Sequence, residues 1–274
     1  MDDLKKILDK KLLQYNRHEF IMSDPIQVPH LFSKKEDIEI AAFLTSTIAW
    51  GNRKMIINNA LRLMKLMNNA PYDFLLNTVP DYKKVNSENF AKLSQNADWQ
   101  AINTFIHRTF NGYDCMFFLL SLKRIYIELG GLETVFTDGF NIEKNIFGAL
   151  KFFRKEFLQL SHNKRVERHL SDVEKNSAAK RLNMFLRWLV RKDKNGVDFG
   201  LWRNIPASAL MLPLDVHSGN VSRKLGILTR KQNDWKAVVE VTEHLRKFCI
   251  SDPIKYDFAL FGSGVFQNKE MEGG

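Results

Sequence analysis

Apolar residues recur every three or four positions through most of this chain, and no series of segments alternates apolar and polar residues as half-buried strands do. That period commits the chain to an all-α fold. Over residues 36–67, Ile38, Ala41, Ala42, Leu44 and Ala49 mark one helical face, and Ile56, Ile57, Ala60, Leu63 and Met64 mark a second. The two predicted helices part at Trp50-Gly51-Asn52, where glycine supplies a conformation that other residues resist. Ser33 stands three residues before Glu36, the spacing of a capping box, so the first of them is expected to start there.

The pattern continues to the end of the chain. Residues 1–11 are charged and helix-like, Pro71 and Pro80 bracket a short helix, and 87–110 reads as a helical stretch holding Trp99 and Phe105. Residues 117–129 are strongly apolar and stop at Gly130-Gly131, and 145–160 align Ile146, Leu150, Phe153, Phe157 and Leu160 on one face. Further helices are predicted over 177–191, 216–225 and 234–246, and from Asp252-Pro253 to Gly262, with a loop at 192–200. The rows of Phe and Leu are the expected core.

With 274 residues the chain can form two small lobes sharing a cleft. The expected division is residues 30–175 against 1–29 plus 176–274. No apolar run is long enough to span a bilayer, and the N-terminus does not resemble a signal peptide, so a cytoplasmic protein is expected, with no membrane partner. Two cysteines, Cys115 and Cys249, are too few for a disulfide framework or a four-cysteine iron–sulfur cluster, and both are read as packing residues. The net charge of +10 favours a polyanionic partner, because each neutralised phosphate releases counterions, although charge alone names none.

Two segments carry candidate chemistry. In the first, Lys180, Met184, Arg187 and Arg191 share one face of the predicted helix while Leu182, Phe185, Leu186 and Leu189 cover the other. A lysine at a helix N-terminus sits where the macrodipole disfavours positive charge, which suits the free amine of a Schiff-base nucleophile. A solvated basic face explains the same pattern. In the second segment Asp215 precedes a short helix and is placed to cap it, and His217 is open to roles as a base, a hydrogen-bonding anchor or a ligand. No companion His or Cys stands at ligand spacing, so neither a metal nor another cofactor is expected.

At these residues the sequence resembles the helix-hairpin-helix DNA glycosylase superfamily. Leu214-Asp215-Val216-His217, leading into Arg223-Lys224-Leu225-Gly226, looks like that superfamily's aspartate motif. The Lys180 segment looks like the lysine motif of its bifunctional members, closest to the archaeal 8-oxoguanine branch. Asp257 and Phe261 match positions that hold the flipped base there, with Phe261 in place of a larger ring. The likeness is concentrated in 177–262, with a weaker echo in 38–66. Over its full length the chain also resembles a bacterial protein family with no assigned activity. Departures are a hairpin at 172–177 without glycine, a longer stretch between Lys180 and Asp215, and an insertion at 202–208.

The resemblance implies a two-lobed, helical, glycosylase-like fold with a helix-hairpin-helix-type element, and Lys180 and Asp215 as the catalytic pair. It implies damaged duplex DNA as the partner, an oxidised purine such as 8-oxoguanine as the substrate, an accompanying β-lyase step, and a monomer. Trp50 is then a candidate to stack on the extruded base opposite Phe261, against its alternative as a helix-end core residue. Arg187, Arg191 and Arg223 are candidates for backbone phosphates, against a merely solvated face. A non-catalytic nucleic-acid-binding helical protein, and a scaffold for a protein partner, remain as alternatives.

Overall fold

In this computed structural model, residues 2–86, residue 89 and residues 95–262 are described. The chain divides into two compact units, residues 1–23 together with the chain from 172 onward, and residues 24–171. Predominantly helical architecture follows from the period of the apolar residues. The elements are α1 (Asp2–Tyr15), α2 (Glu19–Ser23), α3 (Lys35–Thr47), α4 (Arg53–Leu66), α5 (Pro71–Asn77) and α6 (Ala97–Ile102). A two-residue strand pair, β1 (Ile106–His107) and β2 (Phe110–Asn111), comes next, followed by α7 (Gly112–Glu128), α8 (Leu132–Glu143) and α9 (Ile146–Phe157). The remaining helices are α10 (Lys180–Val190), α11 (Val216–Lys224) and α12 (Trp235–Phe248), with a 3-10 turn at Pro253–Tyr256 that runs into helix over 257–262.

Residues 24–171 pack around α3, which is buried from Ile38 to Thr47. Phe43 lies parallel to Phe118 of α7 at 5.9 Å between ring centroids and meets Phe153 and Phe157 of α9 at 5.5 and 5.4 Å. Edge and offset geometries of this kind stabilise a phenylalanine core beyond the area it buries. The break between α3 and α4 is where glycine predicts it. Gly51 has φ +103°, and the Asn52 side chain accepts from the Met55 amide at 3.2 Å to start α4.

Three expectations are corrected here. Helix α3 begins after Lys34 with no side-chain cap, so Ser33 does not form the capping box its spacing suggested. The predicted helix over 87–110 falls partly outside the described residues, at 87–88 and 90–94. Its described part is the short α6 followed by an antiparallel hairpin pairing Ile106 with Asn111 and His107 with Phe110. The reason is local: Asn111 and Asp114 form a reciprocal cap that starts α7 at Gly112, which leaves 106–111 to turn back as a hairpin. Cys249 is partly exposed rather than packed away, whereas Cys115 is buried.

In the other unit, Leu182, Phe185, Leu186, Trp188 and Leu189 of α10 are buried, and Phe185 meets Trp202 edge-on at 5.3 Å. Val238, Val241 and Leu245 of α12 are buried as well, and Thr242 Oγ1 accepts from the Leu212 amide at 3.1 Å. The last segment is fastened to α1 by the Tyr256 hydroxyl, which donates to Asp9 at 2.9 Å. Among the described residues no helix is long and apolar enough to cross a membrane.

Candidate functional site

Helix α10 starts three residues later than its apolar period suggests, because Asn176 and Ala179 both take left-handed conformations, at φ +61° and +46°. The chain therefore turns twice before it can propagate, and Lys180 becomes the first helical residue. Asn183, one turn on, donates from its amide to the Ala178 carbonyl at 3.1 Å and ties the turn to the helix it precedes.

Asp215 opens α11 in the same way. Its carboxylate accepts from the Ser218 amide at 2.9 Å, and the Ser218 hydroxyl accepts from the Asp215 amide at 2.9 Å, a reciprocal capping box. Across these two helix starts Lys180 Nζ lies 3.2 Å from Asp215 Oδ2, with the lysine side chain 35% and the aspartate side chain 14% exposed. Burial alone pushes the Asp215 carboxyl up. The Lys180 ammonium and the Ser218 donors outweigh it and hold the group below the ordinary carboxylate range.

One dipeptide sets the relation between the two turns. Asn233 donates to the Asp215 carbonyl at 2.9 Å, and Arg223 donates to Asn233 Oδ1 at 2.5 Å. The next residue, Asp234, accepts from Asn176 Nδ2 at 2.9 Å, bridges to Ser177 through the backbone, and caps α12 by accepting from the Ala237 amide at 3.1 Å. A hydrogen bond from Arg230 holds the Asp234 carboxyl far below its ordinary range. Sequence reasoning missed Asn233, Asp234 and Ser218. The Ser218 spacing from Asp215 was readable, whereas the reach of Asn233 and Asp234 to distant turns leaves no local signal.

The arginines expected to meet phosphates are placed otherwise. Arg187 and Arg191 are buried, Arg187 against Asp257 and, at 3.3 Å, Asp198, and Arg191 against Asp198 at 2.8 Å, Asp193 at 2.9 Å and Asp252 at 3.0 Å. The basic face of α10 is thus covered by aspartates, and these two side chains do not face solvent. Arg223 donates to the carbonyls of Arg230 and Lys231 at 2.9 and 2.7 Å, joining α11 to the following loop rather than presenting a free fork. Breaking the buried network is expected to be costly, because each carboxylate removed leaves buried positive charge behind. Asp198→Ala should cost about 3–5 kcal/mol, read as a fall in Tm of roughly 6–20 °C, and a shift under a few degrees would show the network to be energetically idle.

Asp257 lies inside this network, close enough to Asp215 for that charge to act on it. Burial pushes its carboxyl up, Arg187 pulls it down, Asp215 and Asp198 push it up again, and the balance is about 6. Phe261, partly exposed, meets Phe20 edge-on at 6.5 Å. His217 is exposed on the first turn of α11. Trp50 belongs to the other unit, where its ring lies parallel to His169 at 6.2 Å and edge-on to His107 at 4.9 Å. Among the described residues no group of three or more His, Cys, Asp or Glu is arranged to hold a metal ion.

These observations define a predominantly helical protein in which a lysine and an aspartate meet at two adjacent helix starts. Residues 24–266 match the model of the family described as Protein of unknown function (DUF2400), and the chain belongs to that family. No curated protein and no solved structure matches the chain.

Proposed function

We propose that this chain is a base-excision DNA glycosylase with an accompanying β-lyase step, acting on an oxidised purine such as 8-oxoguanine. The observation that carries this reading is the 3.2 Å approach of Lys180 Nζ to Asp215 Oδ2, with the amine still partly open to solvent. In this reading a damaged base is extruded from the duplex, because its glycosidic bond is out of reach while stacked. Lys180, once it has given up a proton, forms a bond from Nζ to C1′ as the bond from C1′ to the base breaks. The departing base keeps the bonding pair and takes up a proton, while the Asp215 carboxylate stabilises the positive charge that develops on the sugar. Opening of the sugar ring gives a Schiff base. Loss of a C2′ proton then expels the 3′ phosphate, and water releases the amine.

The proposal carries with it a two-lobed, glycosylase-like arrangement and a helix-hairpin-helix-type element at 172–179. Support for that element comes from Asn176 and Ala179, whose backbones adopt the left-handed conformations that hairpin glycines ordinarily supply. Asp257 and Phe261 are the proposed base contacts, the ionised carboxylate accepting from N–H groups on the base.

A second reading, a non-catalytic nucleic-acid-binding protein, is favoured by one observation. Asp215 is already engaged as the cap of α11 and as the counter-ion of Lys180, and neither task needs a reaction. Incubating the purified chain with duplexes carrying 8-oxoguanine, uracil or an abasic site, with borohydride present, separates the two. The expected result is base release from the 8-oxoguanine duplex and a covalent adduct with it and with the abasic one. Tight, salt-sensitive binding with no release and no adduct on any duplex would overturn catalysis in favour of binding.

A further inference from the structure

Residues 24–171 contain a second feature that the chemistry above does not use. The hairpin of β1 and β2 closes through a two-residue turn, Arg108-Thr109, and turns of this length favour a positive φ at the first central residue, where glycine is the ordinary choice. Here Arg108 holds that place at φ +54°. A left-handed conformation is unfavourable for a non-glycine residue, and such strain persists only where the surroundings impose it.

The surroundings do impose it. Arg165 donates to the Thr109 carbonyl at 3.2 Å and to Asn111 Oδ1 at 2.8 Å, and pairs with the buried Asp114 at 3.0 Å. On the other side His107 is held between the Asn59 side chain at 2.9 Å and the Trp50 carbonyl at 3.2 Å. The turn is therefore pinned from both strands, and Arg108 is exposed at its tip. Its guanidinium lies against Gly51, where a Cβ would come within 2.5 Å of Nη1. No hydrogen bond, ion pair or ring contact engages the Arg108 side chain among the described residues. The carboxylate of Asp114, on the helix that follows, is taken by Arg165 and His169.

We propose that Arg108 is a contact point for a backbone phosphate of DNA, presented by the pinned hairpin and given room by the missing side chain of Gly51. The inference rests on DNA being the partner, as in the reading above. A strained, rigidly supported arginine without a carboxylate fits an anionic ligand that arrives from outside, and the guanidinium fork matches a phosphate. Nothing in the contact reads a base, so it adds affinity and salt dependence without sequence preference.

The test uses the full chain and an abasic-analogue duplex, with affinity measured against salt concentration. Arg108→Gly should leave Tm unchanged or raised, because glycine relieves the left-handed strain. It should lower the slope of log K against log salt by about 0.9, so that roughly 3.5-fold less affinity is lost between 50 and 200 mM salt. Arg108→Lys, which keeps the charge, should keep the slope. An unchanged slope in Arg108→Gly, or a lowered Tm, overturns the inference while leaving Lys180 chemistry intact. A wild-type chain with no salt-dependent affinity for DNA overturns the functional reading together with it.

Discussion

Replacement of Lys180 by alanine is expected to abolish the borohydride-trapped adduct and to reduce strand cleavage at an abasic site to the uncatalysed background. The amine is the only bond-forming group in the proposed reaction, so nothing remains to trap. Folding should survive. The lysine side of the ion pair that is lost is more than a third exposed, and the Asp215 carboxylate left behind keeps its hydrogen bonds from the Ser218 amide and hydroxyl. Lys180→Arg sharpens the result, since arginine keeps a positive charge near Asp215 but cannot give up its proton to become a nucleophile. It should be as inactive as the alanine variant. An adduct of undiminished yield in either one would place the nucleophile elsewhere and remove residue 180 from the chemistry.

Asp215→Asn should lower base release by about 10²–10⁴-fold with the fold preserved. The substitution suits this site because asparagine caps a helix about as well as aspartate, and its carbonyl can take over the bond from the Ser218 amide. What disappears is the negative charge beside Lys180. Trapping on a preformed abasic site should suffer less, because there the aldehyde is present and no glycosidic bond has to break. Base release at the wild-type rate would reduce Asp215 to a capping residue. The same carboxylate carries a pH signature. Its folded value lies below the unfolded one, so its stabilisation is complete above an unfolded value near 3.8 and is lost as the pH falls through the lower folded value.

Much of the helical architecture was legible because burial on one face leaves a period of 3.6 in the sequence. Helices α4, α9, α10 and α12 announce themselves in that way, α7 shows as an apolar run stopped by Gly130-Gly131, and Gly51 and Asp215 mark boundaries by their own chemistry. Helix α8 was overlooked although Leu132, Val135, Phe136 and Phe140 keep the same spacing, because Gly139 thins its buried face and polar residues fill the rest. The hairpin at 106–111 was hidden for another reason: strands of two residues are too short for alternation to register. The lysine and the aspartate of the candidate site were visible as residues, and the resemblance paired them. The fate of Arg187 and Arg191 was not visible. A helical wheel says which side chains share a face and nothing about what covers it, and here the cover includes Asp257, 70 residues beyond Arg187.

The attachment of both helix starts to Asn233 and Asp234 has a dynamic corollary. Amine and carboxylate are hung from one short stretch of backbone, so thermal excursions of that stretch displace the pair together. Displacement of that stretch is thereby common to both groups, and the 3.2 Å gap between Lys180 Nζ and Asp215 Oδ2 is buffered against the loop that sets it.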